Sequence, residues 1–153
     1  MQRARYWLLL DPVWERISIY DGPEKFLAQF NSHPLAQRTL FAAHWCQSEV
    51  LNGGFHQFFS NSTGVLAPES IAAFEALGMP RTAGIVRSAV EWFGPNYPRD
   101  RDERNEQLDS VEVDDPDEWN PFEDLDQQFF DTVESEDGGF RNASDKYADK
   151  NDG

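Results

Sequence analysis

Leu35-Ala36-Gln37-Arg38-Thr39-Leu40-Phe41-Ala42-Ala43-His44-Trp45-Cys46-Gln47-Ser48-Glu49-Val50-Leu51 is the stretch that decides the fold. Around Phe41 to Cys46 it is apolar on nearly all sides, which predicts a helix buried at the centre of the molecule. Asn52-Gly53-Gly54 is expected to stop that helix, because glycine accepts the left-handed conformation at a helix end. Working outward, Pro68 opens a helix with Ile71, Phe74 and Leu77 turned inward and Gly78 as its stop. A further helix starts near Pro80 and carries Ala83, Ile85, Val86, Ala89, Val90 and Phe93 before Gly94-Pro95 ends it. Residues 24–30 predict a short helix ahead of His33-Pro34. Ile17-Ser18-Ile19-Tyr20 is the one strand candidate, and it is short.

The chain has 153 residues, the length of one domain or of one domain with a tail. Aromatic residues make up 14%, with 12 Phe and 5 Trp, whereas disordered acidic chains lack aromatics; a ring-rich core is expected. Cys46 is the single cysteine, which excludes an intramolecular disulfide and a cysteine-rich zinc site. No apolar run approaches the ~20 residues of a membrane span. Tyr6-Trp7-Leu8-Leu9-Leu10 is too short for a secretory core and has no small-residue cleavage site. A soluble, cytoplasmic protein is expected.

Charge is the most uneven property of the sequence. The whole chain carries 13 Lys+Arg against 28 Asp+Glu, a formal charge of −15. Residues 1–99 hold 8 acidic and 8 basic side chains, and residues 138–153 hold 3 of each. Residues 100–137 hold 17 acidic and 2 basic, so the entire net charge lies there. Such acidity disfavours direct binding to DNA, RNA or an anionic membrane. Within this stretch Phe122, Leu125, Phe129, Phe130 and Val133 recur at helical spacing. Leu108 and Val111 mark a weaker stripe over 101–112, with Asp115-Pro116-Asp117 as the break. The expectation is an acidic helical hairpin over 100–137 whose apolar side docks on the rest. The whole is then an all-α fold, a compact bundle of about seven helices with an aromatic core. Residues 1–137 form one helical domain, and 138–153 form a short C-terminal helix docked by Tyr147 or a frayed tail.

Glu49-Val50-Leu51-Asn52-Gly53-Gly54-Phe55-His56-Gln57-Phe58-Phe59-Ser60-Asn61-Ser62-Thr63-Gly64 combines turning glycines, anchoring rings and amides able to satisfy exposed backbone groups. The segment resembles the bacterial family of the neisserial DNA-mimic protein nineteen, a domain of unknown function. The carrying residues are Glu49, Asn52-Gly53-Gly54-Phe55, Gln57-Phe58-Phe59, Asn61 and Gly64. The Ala67-Pro68-Glu69 helix start, the Gly78 stop and the Ala83–Phe93 helix continue the match, which covers roughly residues 24–135. The acidic region is similar in composition only. The resemblance implies an all-helical homodimer. It also implies carboxylates presented where duplex DNA has phosphates, occupying the DNA-binding surface of a transcription factor. The Asn-Gly-Gly-Phe motif itself is expected to be structural.

A duplex carries one charge per ~1.7 Å of axis. Two antiparallel helices of about 16 residues span roughly 24 Å, so 17 carboxylates give about one per 1.4 Å. The density suits a DNA mimic, provided the charges share an accessible face. The candidate partner-binding residues are Asp109, Glu112, Asp114, Asp115, Asp117, Glu118, Glu123, Asp124, Asp126, Asp131 and Glu134.

Other chemistries are weaker. His33, His44 and His56 show no zinc-ligand spacing, so no metal or other cofactor is expected. Cys46 beside Trp45 is a core residue, and a Cys–His pair with His44 or His56 lacks facing geometry. Glu49 and Glu69 fit helix-end or surface roles better than acid/base catalysis. Gly53-Gly54 lacks the strand, helix and Lys of a phosphate loop, and Asp109 to Glu118 lacks the ligand alternation of a calcium loop. The leading expectation is a non-enzymatic acidic protein that binds a basic protein, in its sharpest form a DNA mimic. One alternative is an immunity-type inhibitor of a basic toxin or nuclease. Another is an enzyme or small-ligand binder with a pocket at Trp45, His56, Gln57 and Asn61.

Overall fold

A computed structural model describes residues 3–110 and 120–151. Among the described residues the chain is all-helical, with eight α-helices, two 3-10 turns and no strand. The helices are α1 (Trp7–Trp14), α2 (Pro23–Asn31), α3 (Leu35–Ser60), α4 (Ala67–Ala76), α5 (Pro80–Glu91), α6 (Arg101–Asp109), α7 (Glu123–Ser135) and α8 (Phe140–Asn151). The 3-10 turns are Ser62–Leu66 and Glu136–Gly138. None of these helices is long and apolar enough to cross a membrane.

α3 is the centre, and α1, α4, α6 and α7 pack against it. Leu40, Phe41, Ala42, Ala43, Cys46 and Val50 are sealed from solvent, as the all-round apolar pattern predicts. The Asn52-Gly53-Gly54 stop stands: helical geometry ends at the glycines, and a second helical segment begins directly after them, so α3 (Leu35–Ser60) is two segments joined at a kink. Gly53 has φ −151° and Gly54 has φ 78°, ψ −179°, a conformation that L residues avoid. The bend turns Phe55, Phe58 and Phe59 into the core, where Phe59 meets Phe93 at 4.9 Å and Phe122 at 5.2 Å between ring centres. Every phenylalanine except Phe130 is buried, each contributing about 1.5–3 kcal/mol by leaving water.

The Pro and Gly signals of α4 and α5 stand where the sequence places them, with Gly78 at φ 82° between the two. α1 has no counterpart among the sequence expectations. It carries Pro12 internally and buries Leu10 and Val13 against α3. Ile17-Ser18-Ile19-Tyr20 is a loop, not a strand; Ile17 and Ile19 are buried, and the Ser18 N–H donates to Gln29 Oε1. α8 docks by Phe140, Ala143 and Ala148, with Tyr147 half-buried beside them. It also ties down the first residues: the Tyr6 N–H donates to Asp145 Oδ1 at 2.9 Å, and Arg5 pairs with Asp149.

The hairpin expectation is corrected too. α6 packs on α3 and the Ser62–Leu66 turn, whereas α7 packs on α5, α3 and α8, so the two acidic helices do not lie along each other. The 101–112 stripe is helical to Asp109, while Val111 and the Asp115-Pro116-Asp117 break lie outside the described residues.

Candidate functional site

α6 begins at Asp100, whose side chain accepts the Glu103 N–H at 3.1 Å, the usual N-cap arrangement. At about 100° per residue, Arg101, Arg104, Asn105 and Leu108 fall within one arc of about 100° on this helix. Asp102, Glu103, Glu106 and Asp109 fall on the other side, within an arc of about 120°. The structure follows this division. Leu108 and Arg104 are buried, and the four carboxylates are exposed.

Arg104 is fully buried and spends its guanidinium on backbone carbonyls. Nε donates to Phe59 O at 2.8 Å, Nη2 to Asn61 O at 2.9 Å, and Nη1 to Pro98 O and Arg99 O. Arg101 Nε and Asn105 Nδ2 both donate to Ser60 O. Carbonyls at a helix C-terminus have no partner within the helix, and that end carries negative potential. Both cations of residues 100–137 thus cap the end of α3, Arg104 from a buried position and Arg101 from an exposed one. The rest of the exposed charge on α6 is acidic.

α7 is opened by Asn120, whose Oδ1 accepts the Phe122 N–H at 2.9 Å. Glu123, Asp124, Asp131 and Glu134 are exposed, and ideal helix geometry puts them within an arc of about 100°. Asp126 falls at one edge of the opposite, apolar arc of about 60° that holds Phe122, Phe129 and Val133. It is buried there: Oδ1 accepts the Phe55 N–H at 2.8 Å, and Oδ2 accepts Asn120 Nδ2 at 3.3 Å. Burial raises its pKa, against the lowering effect of those donors. Asp126 is therefore an anchor for the bend at Gly54 and not a surface carboxylate, which corrects its place among the partner-binding candidates.

Among the described residues, none of Asp102, Glu103, Glu106, Asp109, Glu123, Asp124, Asp131 and Glu134 is in an ion pair, whereas Glu69, Glu75, Asp137 and Asp145 all are. Glu123 and Asp124 gain from the positive end of their helix. Asp109, Asp131 and Glu134 lie toward helix C-termini, where the dipole disfavours a carboxylate by ~0.3–1 kcal/mol. No local gain holds them there. Both helices are fastened to the same part of α3, residues 54–61. Glu112, Asp114, Asp115, Asp117 and Glu118 lie outside the described residues.

The Glu49–Asn61 motif forms a second constellation, which sequence reasoning assigned to structure alone. Glu49 Oε2 accepts Gln57 Nε2 at 2.7 Å and Asn61 Nδ2 at 3.4 Å, across the bend. With Gln47, Leu51 and Asn52 these side chains line an open hollow of about 550 Å³. The pocket predicted from Trp45, His56, Gln57 and Asn61 is not assembled in that form. His56 is exposed, and Trp45 stacks on Trp14 at 4.9 Å. His44 Nδ1 and the Tyr6 hydroxyl share a hydrogen bond of 2.9 Å, and burial, with Arg3 nearby, pushes the His44 pKa down to about 4. Burial pushes the Cys46 thiol up to about 12 and leaves it protonated. Glu69 is held by Arg99 through two hydrogen bonds.

A family model described as DMP19-like protein matches residues 31–151. Comparison with curated proteins and with solved structures gave no match.

Proposed function

Because the chain belongs to the DMP19-like family, we propose that it is a non-enzymatic protein that binds a basic protein surface. In the sharpest form of this proposal it is a DNA mimic, occupying the phosphate-contacting Lys and Arg groups of a DNA-binding protein. One observation carries it: of the two arginines of the acidic region Arg104 is buried and Arg101 is spent on Ser60 O, and among the described residues eight exposed carboxylates make no ion pair. Unpaired like charges repel and destabilise the compact state. A basic partner relieves that repulsion at the moment of binding.

The test is to immobilise the protein and pass host lysate over it at low salt. A variant with Asp102, Glu106, Asp131 and Glu134 changed to Lys runs alongside. These positions are exposed and touch no core group, so the helical CD spectrum should persist. The expected result is a DNA-binding protein retained by the wild type alone and displaced by duplex DNA. Its affinity should fall at least about tenfold as salt rises severalfold, since exposed pairs are screened. Equal retention on both columns would refute the proposal. A single retained toxin or nuclease, inhibited stoichiometrically, would favour the immunity-type alternative.

A further inference from the structure

The hollow beside the α3 bend is not accounted for by the carboxylate face. Its lining comes from both halves of one bent helix and its C-cap: Gln47, Glu49, Leu51 and Asn52 before the bend, Gln57 and Asn61 after it. A straight helix is convex everywhere, so the concavity exists only because the chain bends at Gly53-Gly54. Glycine inside a helix costs about 1 kcal/mol relative to alanine, and here two adjoin. A Cβ on Gly53 would lie 2.0 Å from Gln57 Oε1, so the bare glycine is what lets Gln57 fold back over the bend.

The chemistry of the lining is one-sided. Glu49 Oε2 is engaged by Gln57 and Asn61, and Glu49 makes no ion pair among the described residues. With Gln57 Nε2 and Asn61 Nδ2 spent on Glu49, what those two amides can still offer a ligand through oxygen is acceptor capacity. A carboxylate and amide oxygens on a concave wall suit a planar cation with several fixed N–H donors, which is a guanidinium. Leu51, 42% exposed at the rim, offers an apolar strip against which a methylene stem can lie. The hollow is too open to enclose a small molecule, so the guanidinium must arrive with further contacts of its own. An adjoining hollow of about 420 Å³ shares Gln47 and Leu51 and reaches Glu134 of the carboxylate face.

We propose that the concave side of the α3 bend is a binding site for an arginine side chain presented by a protein partner, with Glu49 as its counter-ion and Leu51 under its stem. The proposal rests on the partner reading above only for the source of the arginine.

The experiment is an NMR titration of the labelled protein with acetyl-Gly-Arg-Gly-amide, its Lys counterpart and methylguanidinium. The Arg peptide should give saturable shifts of the side-chain amide signals of Asn52, Gln57 and Asn61. The Lys peptide and methylguanidinium should bind at least about tenfold more weakly, lacking the planar fork and the stem respectively. Glu49→Gln keeps an acceptor for Gln57 and Asn61 but removes the charge, and should weaken the Arg peptide about ten- to a hundredfold. Should that variant fail to fold, Asn52→Asp decides, because a second carboxylate on the exposed rim should tighten binding severalfold. Absence of saturable shifts, unchanged affinity in a folded Glu49→Gln protein, or methylguanidinium binding as tightly as the peptide would overturn the proposal. Charge reversal at Asp102, Glu106 and Asp131 alone, none of which lines either hollow, should leave peptide affinity unchanged, so failure here and failure of the carboxylate face are read separately.

Discussion

Replacing His44 by Phe should remove most of the acid sensitivity of this fold. The imidazole lies among Tyr6, Trp7 and Trp14, with ring centres 5.9, 4.8 and 5.4 Å away, and its Nδ1 is hydrogen-bonded to the Tyr6 hydroxyl. Apolar rings around it favour the neutral form. Burial, with Arg3 nearby, lowers its pKa from 6.5 to about 4. The unfolded chain therefore takes up a proton near pH 6.5 and the folded chain only near pH 4. Stability from this group is fully present above the first value and is lost as pH falls through the window between them. At about 1.4 kcal/mol per pKa unit the full loss is about 3 kcal/mol, of which about 2 kcal/mol is gone by pH 5. Urea unfolding followed by helical CD, at about pH 7.5 and about pH 5, measures it. His44→Phe should be about 1–2 kcal/mol less stable at the higher pH, because the Tyr6 hydroxyl loses its hydrogen-bond partner. It should then lose little more on acidification. Carboxylates of the acidic helices titrate alike in both proteins and cancel in the comparison. An equal acid-induced loss in wild type and variant would refute the assignment.

Three further outcomes follow from the same geometry. Arg104→Met should cost about 3 kcal/mol or more in urea unfolding, because the carbonyls of Phe59, Asn61, Pro98 and Arg99 lose their donor in a buried place; a loss under 1 kcal/mol would contradict the capping role. Gly54→Ala should be among the most damaging single changes, since the new Cβ would lie 2.6 Å from Asp126 Oδ2 at a φ of 78°. Its melting temperature should fall well below that of a surface Gly→Ala control at Gly84, where nothing lies within 4 Å. Glu136→Ala should cost about 1–2 kcal/mol, because both carboxylate oxygens accept N–H groups of Arg81 and Thr82 at the start of α5; unchanged hydrogen exchange in the first turn of α5 would speak against it.

The elements that were legible in the sequence are those with punctuation. Pro68, Gly78 and Pro80 bracket α4 and α5 because their backbone restrictions act locally, whatever surrounds them. α1 lacks such punctuation: Trp7 to Leu10 is apolar without period, and Pro12, the sixth residue of the helix and past the first turn where proline is tolerated, reads as a break. Gly53-Gly54 marks where the first segment of α3 ends; that a second segment follows at once depends on the packing of Phe55 and Phe59, which no local signal states. The burial of Asp126 was readable: it lies four residues after Phe122 and three before Phe129, on the stripe already identified. The placement of Arg104 and Arg101 carries the same signal: they lie four and seven residues before Leu108, on its side of the helix. The hairpin failed for a different reason. Amphipathic pattern states that a face is covered and leaves open which element covers it.

The tie between Tyr6 and Asp145 spans 139 positions of chain. A ribosome adding about 5–20 residues per second needs roughly 7–28 s between making one and making the other. Throughout that interval α1 can rest on α3 but lacks the helix that locks it. The Tyr6 end of α1 is thus secured only after nearly all of the helices it packs with have been made. The Tyr6 ring, which ends up edge-on to Phe140 at 5.7 Å, stays available to chaperones or to neighbouring nascent chains until α8 arrives.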